Sequence, residues 1–131
     1  GLWAGSTRGE SPGNTPIHSD FVTAMVKGGT KNRFALKHAD ATAKGGSLPS
    51  EKMLKTLYDG KRPAKYEVMK KQGAIILGIG GDNSNRAVGT FYEGIMTKGF
   101  ASDETDDLVQ RNILNAGYSM TAVDGVTETF V

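Results

Sequence analysis

Apolar residues in this chain recur with clear helical spacing in only one stretch, residues 102–117, and that limits the fold more than any other feature. Leu108, Val109, Asn112, Ile113 and Ala116 follow the interval of a single helix face, with Ser102 or Thr105 placed to cap the start and Gly117 to end it. Asp103, Glu104, Asp106 and Asp107 crowd the first turn, where the helix dipole favours negative charge. Such a group invites a metal-site reading, but acids at a helix start more often stand in solvent.

Elsewhere the pattern is that of strands. Residues 20–27 are apolar and end at Gly28-Gly29, and Thr30-Lys31-Asn32 continues the turn. Residues 33–38 then alternate, with Phe34, Leu36 and His38 on one face, so the two segments predict a β-hairpin. Residues 45–71 are less regular: a short helix is expected over 50–57, and Asp59-Gly60 and Arg62-Pro63 read as turns. The lysines and arginines there read as a solvated face. The run Ala-Ile-Ile-Leu-Gly-Ile at 74–79 suits a strand buried on both faces, and 89–97 alternates again, with Phe91, Glu93 and Ile95 on one side. Residues 119–131 read as a terminal strand or linker. Several strands with one short helix, and no strand–helix alternation, predict an all-β fold, a mainly antiparallel β-sandwich. The 18 glycines agree, since glycine favours turns over helix interiors.

A chain of 131 residues with 37% hydrophobic content is the size of one domain with a modest core. A net charge of +2, with both signs mixed, argues against a dedicated nucleic-acid binder. No run approaches the ~20 apolar residues of a membrane span, and no signal peptide is visible at Gly1-Leu2-Trp3-Ala4-Gly5. Without an initiating Met, a mature, excised or truncated chain is expected. The absence of cysteine removes thiolate metal sites, thiol nucleophiles and disulfides within this stretch.

The loop Gly80-Gly81-Asp82-Asn83-Ser84-Asn85 is the main candidate for chemistry. A phosphate-binding loop would be followed at once by a helix, but a strand pattern follows, and no Gly-Lys-Ser/Thr is present. An EF-hand would need a glycine at its sixth position and a closing Glu, and has neither. Carbohydrate chemistry fits better: paired glycines let a ligand approach the backbone, and a carboxyl at the end of a buried strand can be held protonated as a general acid. From the residues alone, an Asx-turn is the commoner role for such an Asp. Glu93 is a candidate second carboxylate, though a mid-strand Glu more often faces solvent. His18 and His38 match no ligand pattern and read as surface or hydrogen-bonded residues. Ser84 lacks a nucleophile-elbow context. Trp3, Tyr58, Tyr66 and Tyr92 could stack on sugar rings, but aromatics are more often core.

Several segments, taken in order, resemble the α-L-arabinofuranosidase B family. They are Phe21-Val22-Thr23-Ala24, Val26-Lys27-Gly28-Gly29, Tyr58-Asp59-Gly60-Lys61-Arg62-Pro63, the run from Gly73 through Asn85, Gly89-Thr90-Phe91-Tyr92-Glu93-Gly94, Met96-Thr97, Ser102-Asp103, Val109-Gln110 and Tyr118. The resemblance spans about residues 1–118 and implies the later part of a concanavalin-like β-sandwich catalytic domain. It implies a secreted, monomeric, retaining glycosidase that needs no cofactor and releases terminal α-L-arabinofuranosyl groups from arabinan- and arabinoxylan-type polysaccharides. Asp82 would be its acid/base, and Gly81 would contact the sugar through its backbone. Glu93 belongs to a family segment but is not its nucleophile. The family's nucleophile is a Glu in a Glu-Asn pair shortly upstream of a Leu-aromatic dipeptide, here Leu2-Trp3, so it is expected before Gly1. The adjacent-cysteine disulfide is expected upstream as well, and an arabinose-binding module would follow Val131. The chain is therefore expected to be an inactive fragment by itself. A non-catalytic carbohydrate-binding module on the same sandwich is the alternative, and it would need no nucleophile.

Overall fold

The computed structural model describes residues 17–42, 54–62 and 89–120. The chain divides into two compact units, one formed by Gly1–Tyr66 with Phe100–Val131 and the other by Glu67–Gly99.

In the first unit, three strands form an antiparallel sheet in the order β1 (Val22–Gly28), β2 (Arg33–Asp40), β3 (Lys55–Lys61). One helix follows, α1 (Asp103–Asn115). The architecture is all-β with one short helix, consistent with part of a sandwich. The expected hairpin is present, with Val22 opposite Asp40 and Gly28 opposite Phe34. Its reversal lies later than the glycines suggest. Lys31 and Asn32 carry the positive φ values, 52° and 64°, and the Arg33 N–H donates to the Thr30 carbonyl at 3.1 Å. Consecutive left-handed residues closing an i to i+3 bond match the twist of the flanking strands. Gly29 serves packing instead: a Cβ there would stand 3.0 Å from the Phe100 ring.

The segment expected to hold a short helix and a turn, 50–61, instead carries β3 from Lys55. Asp59 and Gly60 lie inside the strand, opposite Ala35 and Phe34. The ladder with β2 and the Phe34–Tyr58 contact, with ring centroids 4.9 Å apart, override their turn preference, and Arg33 adds two exposed hydrogen bonds to Asp59 of 2.8 and 2.6 Å. The register slips by one residue at Leu57, between the Leu36–Tyr58 and Lys37–Thr56 pairs.

Helix α1 starts at Ser102, whose Oγ accepts the Thr105 N–H at 3.2 Å, and the chain leaves it at Gly117 with φ 79°. The face it buries differs from the apolar stripe. Asp106 and Gln110 are buried and Val109, Ile113 and Leu114 half-buried, while Leu108 is 59% exposed and Asn112 and Ala116 are exposed. After the helix, Tyr118 stacks on Phe21 at 5.5 Å, tying its end to the start of β1. The buried apolar residues are Ala35, Leu36, Ala39 and Ala41, around β2, and Leu54. Among the described residues, no helix is long and apolar enough to cross a membrane.

In the second unit the described residues, 89–99, are all exposed and form no strand, contrary to their alternating pattern. Alternation stabilises a strand only when one face is covered. Here Phe91 and Ile95 are 52% and 70% exposed, and Tyr92 and Met96 on the other side 58% and 48%.

Candidate functional site

Asp82 and Gly81, with the rest of the loop at 80–85, lie outside the described residues, as do Trp3, Tyr66 and Ser84. Glu93 is exposed on the irregular stretch of the second unit, without the mid-strand placement expected of it. His18 is exposed. His38 is half-buried and, contrary to expectation, neither ring nitrogen has a hydrogen-bond partner among the described residues. Burial, then repulsion from Lys55, holds its pKa below the ordinary 6.5. Tyr58 is half-buried; its ring lies on Phe34 and its hydroxyl donates to the Lys61 carbonyl at 2.5 Å. That arrangement makes it a packing residue.

The sheet and helix bring together a group that the sequence pattern did not single out. Lys27 on β1 and Lys37 on β2 share one face of the sheet, and both donate to the same oxygen, Oδ2 of Asp106, at 2.5 and 2.7 Å. Lys37 also donates to Asp103 Oδ1 at 2.6 Å, and Lys27 Nζ stands 3.9 Å from that atom. The side chains of Lys27, Lys37 and Asp106 are only 5%, 6% and 3% exposed, whereas Asp103 is 66% exposed. Two of the helix-start acids therefore hold cations from the sheet, and Asp106 is buried where a solvent position was expected. Two ammonium groups and two carboxylates balance, which is what makes burial of such charges tolerable. Burial opposes the charge on Lys37, but hydrogen bonds to Asp103 and Asp106 outweigh it and raise its pKa above the ordinary 10.5. Gln110, fully buried one helical turn beyond Asp106, donates from Nε2 to the Asp40 carbonyl at 2.9 Å.

This cluster can position the helix, but it offers nothing to a metal. No set of three His, Cys, Asp or Glu side chains among the described residues could hold one. Beside it, the Phe100 ring lies between two cations, 4.3 Å from Lys27 Nζ and 4.4 Å from the Arg33 guanidinium carbon. The Arg33 hydrogen bonds hold the Asp59 pKa below the usual carboxylate range. A shallow depression of about 350 Å³ follows the outer flank of α1 past Asp103, Glu104, Asp107, Leu108 and Arg111. Its mixed charges favour no single ligand class. The one sequence signal for the cluster was lysine at both Lys27 and Lys37 on strands otherwise rich in apolar residues, but their partner lies more than 65 residues away along the chain.

An antiparallel sheet with one helix latched to it by buried charges places the chain among all-β domains. Within that class it belongs to the family of the α-L-arabinofuranosidase B catalytic domain, which matches residues 1–119. It is 47% identical over 125 residues to a probable α-L-arabinofuranosidase B of Aspergillus clavatus, covering 94% of this chain and 23% of that protein. It is 48% identical over 122 residues to an α-L-arabinofuranosidase of Hypocrea jecorina, covering 92% and 23%. With the α-L-arabinofuranosidase B of Aspergillus kawachii it shares 50% identity over 119 residues, covering 89% and 22%. The chain thus spans under a quarter of the length of these relatives. No solved structure matches it.

Proposed function

We propose that this chain is the acid/base-bearing part of a secreted, monomeric, retaining glycosidase that releases terminal α-L-arabinofuranosyl groups from arabinan- and arabinoxylan-type polysaccharides. The observation that carries the reading is the family match over residues 1–119, which runs unbroken through the loop Gly80-Gly81-Asp82-Asn83-Ser84-Asn85. The names of the relatives support the sugar released. A Glu carboxylate from the part of the longer fold that precedes this stretch attacks the anomeric carbon, while protonated Asp82 gives its proton to the departing oxygen. Asp82, now ionised, takes a proton from the water that cleaves the glycosyl-enzyme bond, and both carboxyls return to their starting states. Gly81 leaves its backbone open to the sugar hydroxyls. Retention requires the two carboxyls to stand about 5 Å apart.

The test uses the full-length enzyme carrying this stretch. Asp82→Ala should lower turnover by roughly 10²–10⁴-fold on substrates with poor leaving groups. Activated aryl arabinofuranosides should lose far less, and azide should restore turnover and yield an arabinosyl azide of retained configuration. Near wild-type hydrolysis of poor-leaving-group substrates would remove Asp82 from the role.

A further inference from the structure

His38 stands at the weak end of the β2–β3 pairing. Beyond the slip at Leu57, only Lys37–Thr56 and His38–Lys55 pair, whereas four pairs, from Arg33–Lys61 to Leu36–Tyr58, lie on the other side. The imidazole is half-buried, both of its nitrogens are shut off from solvent, and neither has a hydrogen-bond partner among the described residues. Its cross-strand neighbour on β3 is a cation, Lys55. On β1 it faces Ala24, with Val22 and Val26 to either side, and none of these titrates. On β2 itself, Leu36 and Asp40 share its face, and Asp40 Oδ1 accepts the Thr42 N–H at 2.9 Å, with no bond from the carboxylate to the ring. Lys37 points to the opposite face, with its ammonium bound to Asp103 and Asp106. Tyr58, the other β3 residue nearby on this face, uses its hydroxyl as a donor to Lys61.

We propose that His38 is an acid-operated release for the short arm of the sheet: on taking up a proton it frees residues 54–56 from β2, while the longer arm stays paired. A protonated imidazole has two N–H donors, and in the closed arrangement neither finds an acceptor. Lys55 adds a second positive charge directly across the ladder. Opening this end gives the protonated ring water at the cost of two residue pairs. The lowered His38 pKa agrees with this geometry. The sign follows: the folded state favours the neutral ring, so the closed arm is most stable above pH 6.5 and loses stability as pH falls from there through the folded pKa. The device is independent of the sugar chemistry and adds a conformational response to it.

Amide hydrogen exchange of the full chain at pH 7.5 and pH 5.0, corrected for intrinsic rates, tests the proposal. Protection over 54–57 should fall roughly tenfold at the lower pH, while protection over 58–61 holds. His38→Gln should abolish the difference between the arms, and Lys55→Gln, at an exposed position, should reduce it. The NMR titration midpoint of the His38 ring should lie below 6.5. Equal loss in both arms, or a loss that persists in His38→Gln, overturns the proposal.

Discussion

On one face of β2, Lys37 reaches helix α1 through Asp103 and Asp106, and Ala35 and Ala39 are buried beside it. On the other face, Phe34 and Leu36 lie against β3, with the Tyr58 ring tilted against Phe34, and His38 has no partner for its ring nitrogens among the described residues. The strand is the same, yet the first face is closed by charge and the second by apolar contact. Charged pairs are selective because each ammonium needs its acceptor at a defined place, and a helix docked elsewhere would leave buried charges unpaired. Apolar contact is indifferent to such detail, and it tolerates the one-residue slip at Leu57. The charged face therefore dictates where α1 sits, and the apolar face supplies ordinary cohesion.

The sharpest way to break this contrast is to remove one partner from the charged face. Asp106→Ala should cost about 3–5 kcal/mol in urea unfolding, since it takes the hydrogen-bond acceptor from buried Lys27 and leaves Lys37 only the exposed Asp103. The variant with Lys27→Met, Lys37→Met and Asp106→Leu together should recover most of that loss, because the penalty belongs to the unpaired charge rather than to the missing pair. A loss in the triple variant as large as in Asp106→Ala would show that the cluster contributes stability and not placement alone. On the apolar face, Leu36→Ala should cost about 2–4 kcal/mol, and the cost should not change with salt. A salt-dependent cost there would blur the distinction between the faces.

Smaller effects sharpen it. Ser102→Ala should lose about 1 kcal/mol by leaving the Thr105 N–H without its acceptor, and should lower helix content by circular dichroism. The raised pKa of Lys37 means that its contribution is fully present below pH 10.5 and is lost as pH rises from there through the folded pKa. Undocking of α1, followed by exchange of the Gln110 side-chain amide, should therefore rise as pH climbs on the alkaline side. The short arm beside His38 should open on the acidic side. Least of all, Arg33→Gln should leave the urea midpoint within measurement error, because Arg33 and Asp59 are 54% and 36% exposed and solvent screens their pairing.

Much of this architecture was legible in local sequence. The strand–turn–strand pattern around Gly28 to Arg33 reads as a hairpin, and the helix is placed with a cap at Ser102 or Thr105, of which Ser102 is the one used, and an end at Gly117, because turn and cap preferences act over a few residues. The motif run from Gly73 to Gly94 led to the right family, since a long matched segment carries information that short motifs lack. What local pattern misjudged were features whose energy comes from distant partners. Asp59 and Gly60 read as a turn, yet the ladder with β2 holds them in β3 opposite Ala35 and Phe34. Residues 89–97 alternated like a strand, yet neither side of the pattern is covered.

The sequence by itself determined the hairpin, the helix and its ends, and membership of the α-L-arabinofuranosidase B catalytic family, because each is written in neighbouring residues or in an ordered series of motifs. Only the tertiary structure decided that Asp106 is a buried anchor rather than a solvated helix-start acid, and that the His38 nitrogens are shut off without a partner among the described residues, where a surface or hydrogen-bonded histidine was expected. An ionisable side chain reads the same in either setting. Its role follows from how much water it keeps and which charge stands beside it, and those are settled only when strands and a helix far apart in the chain meet.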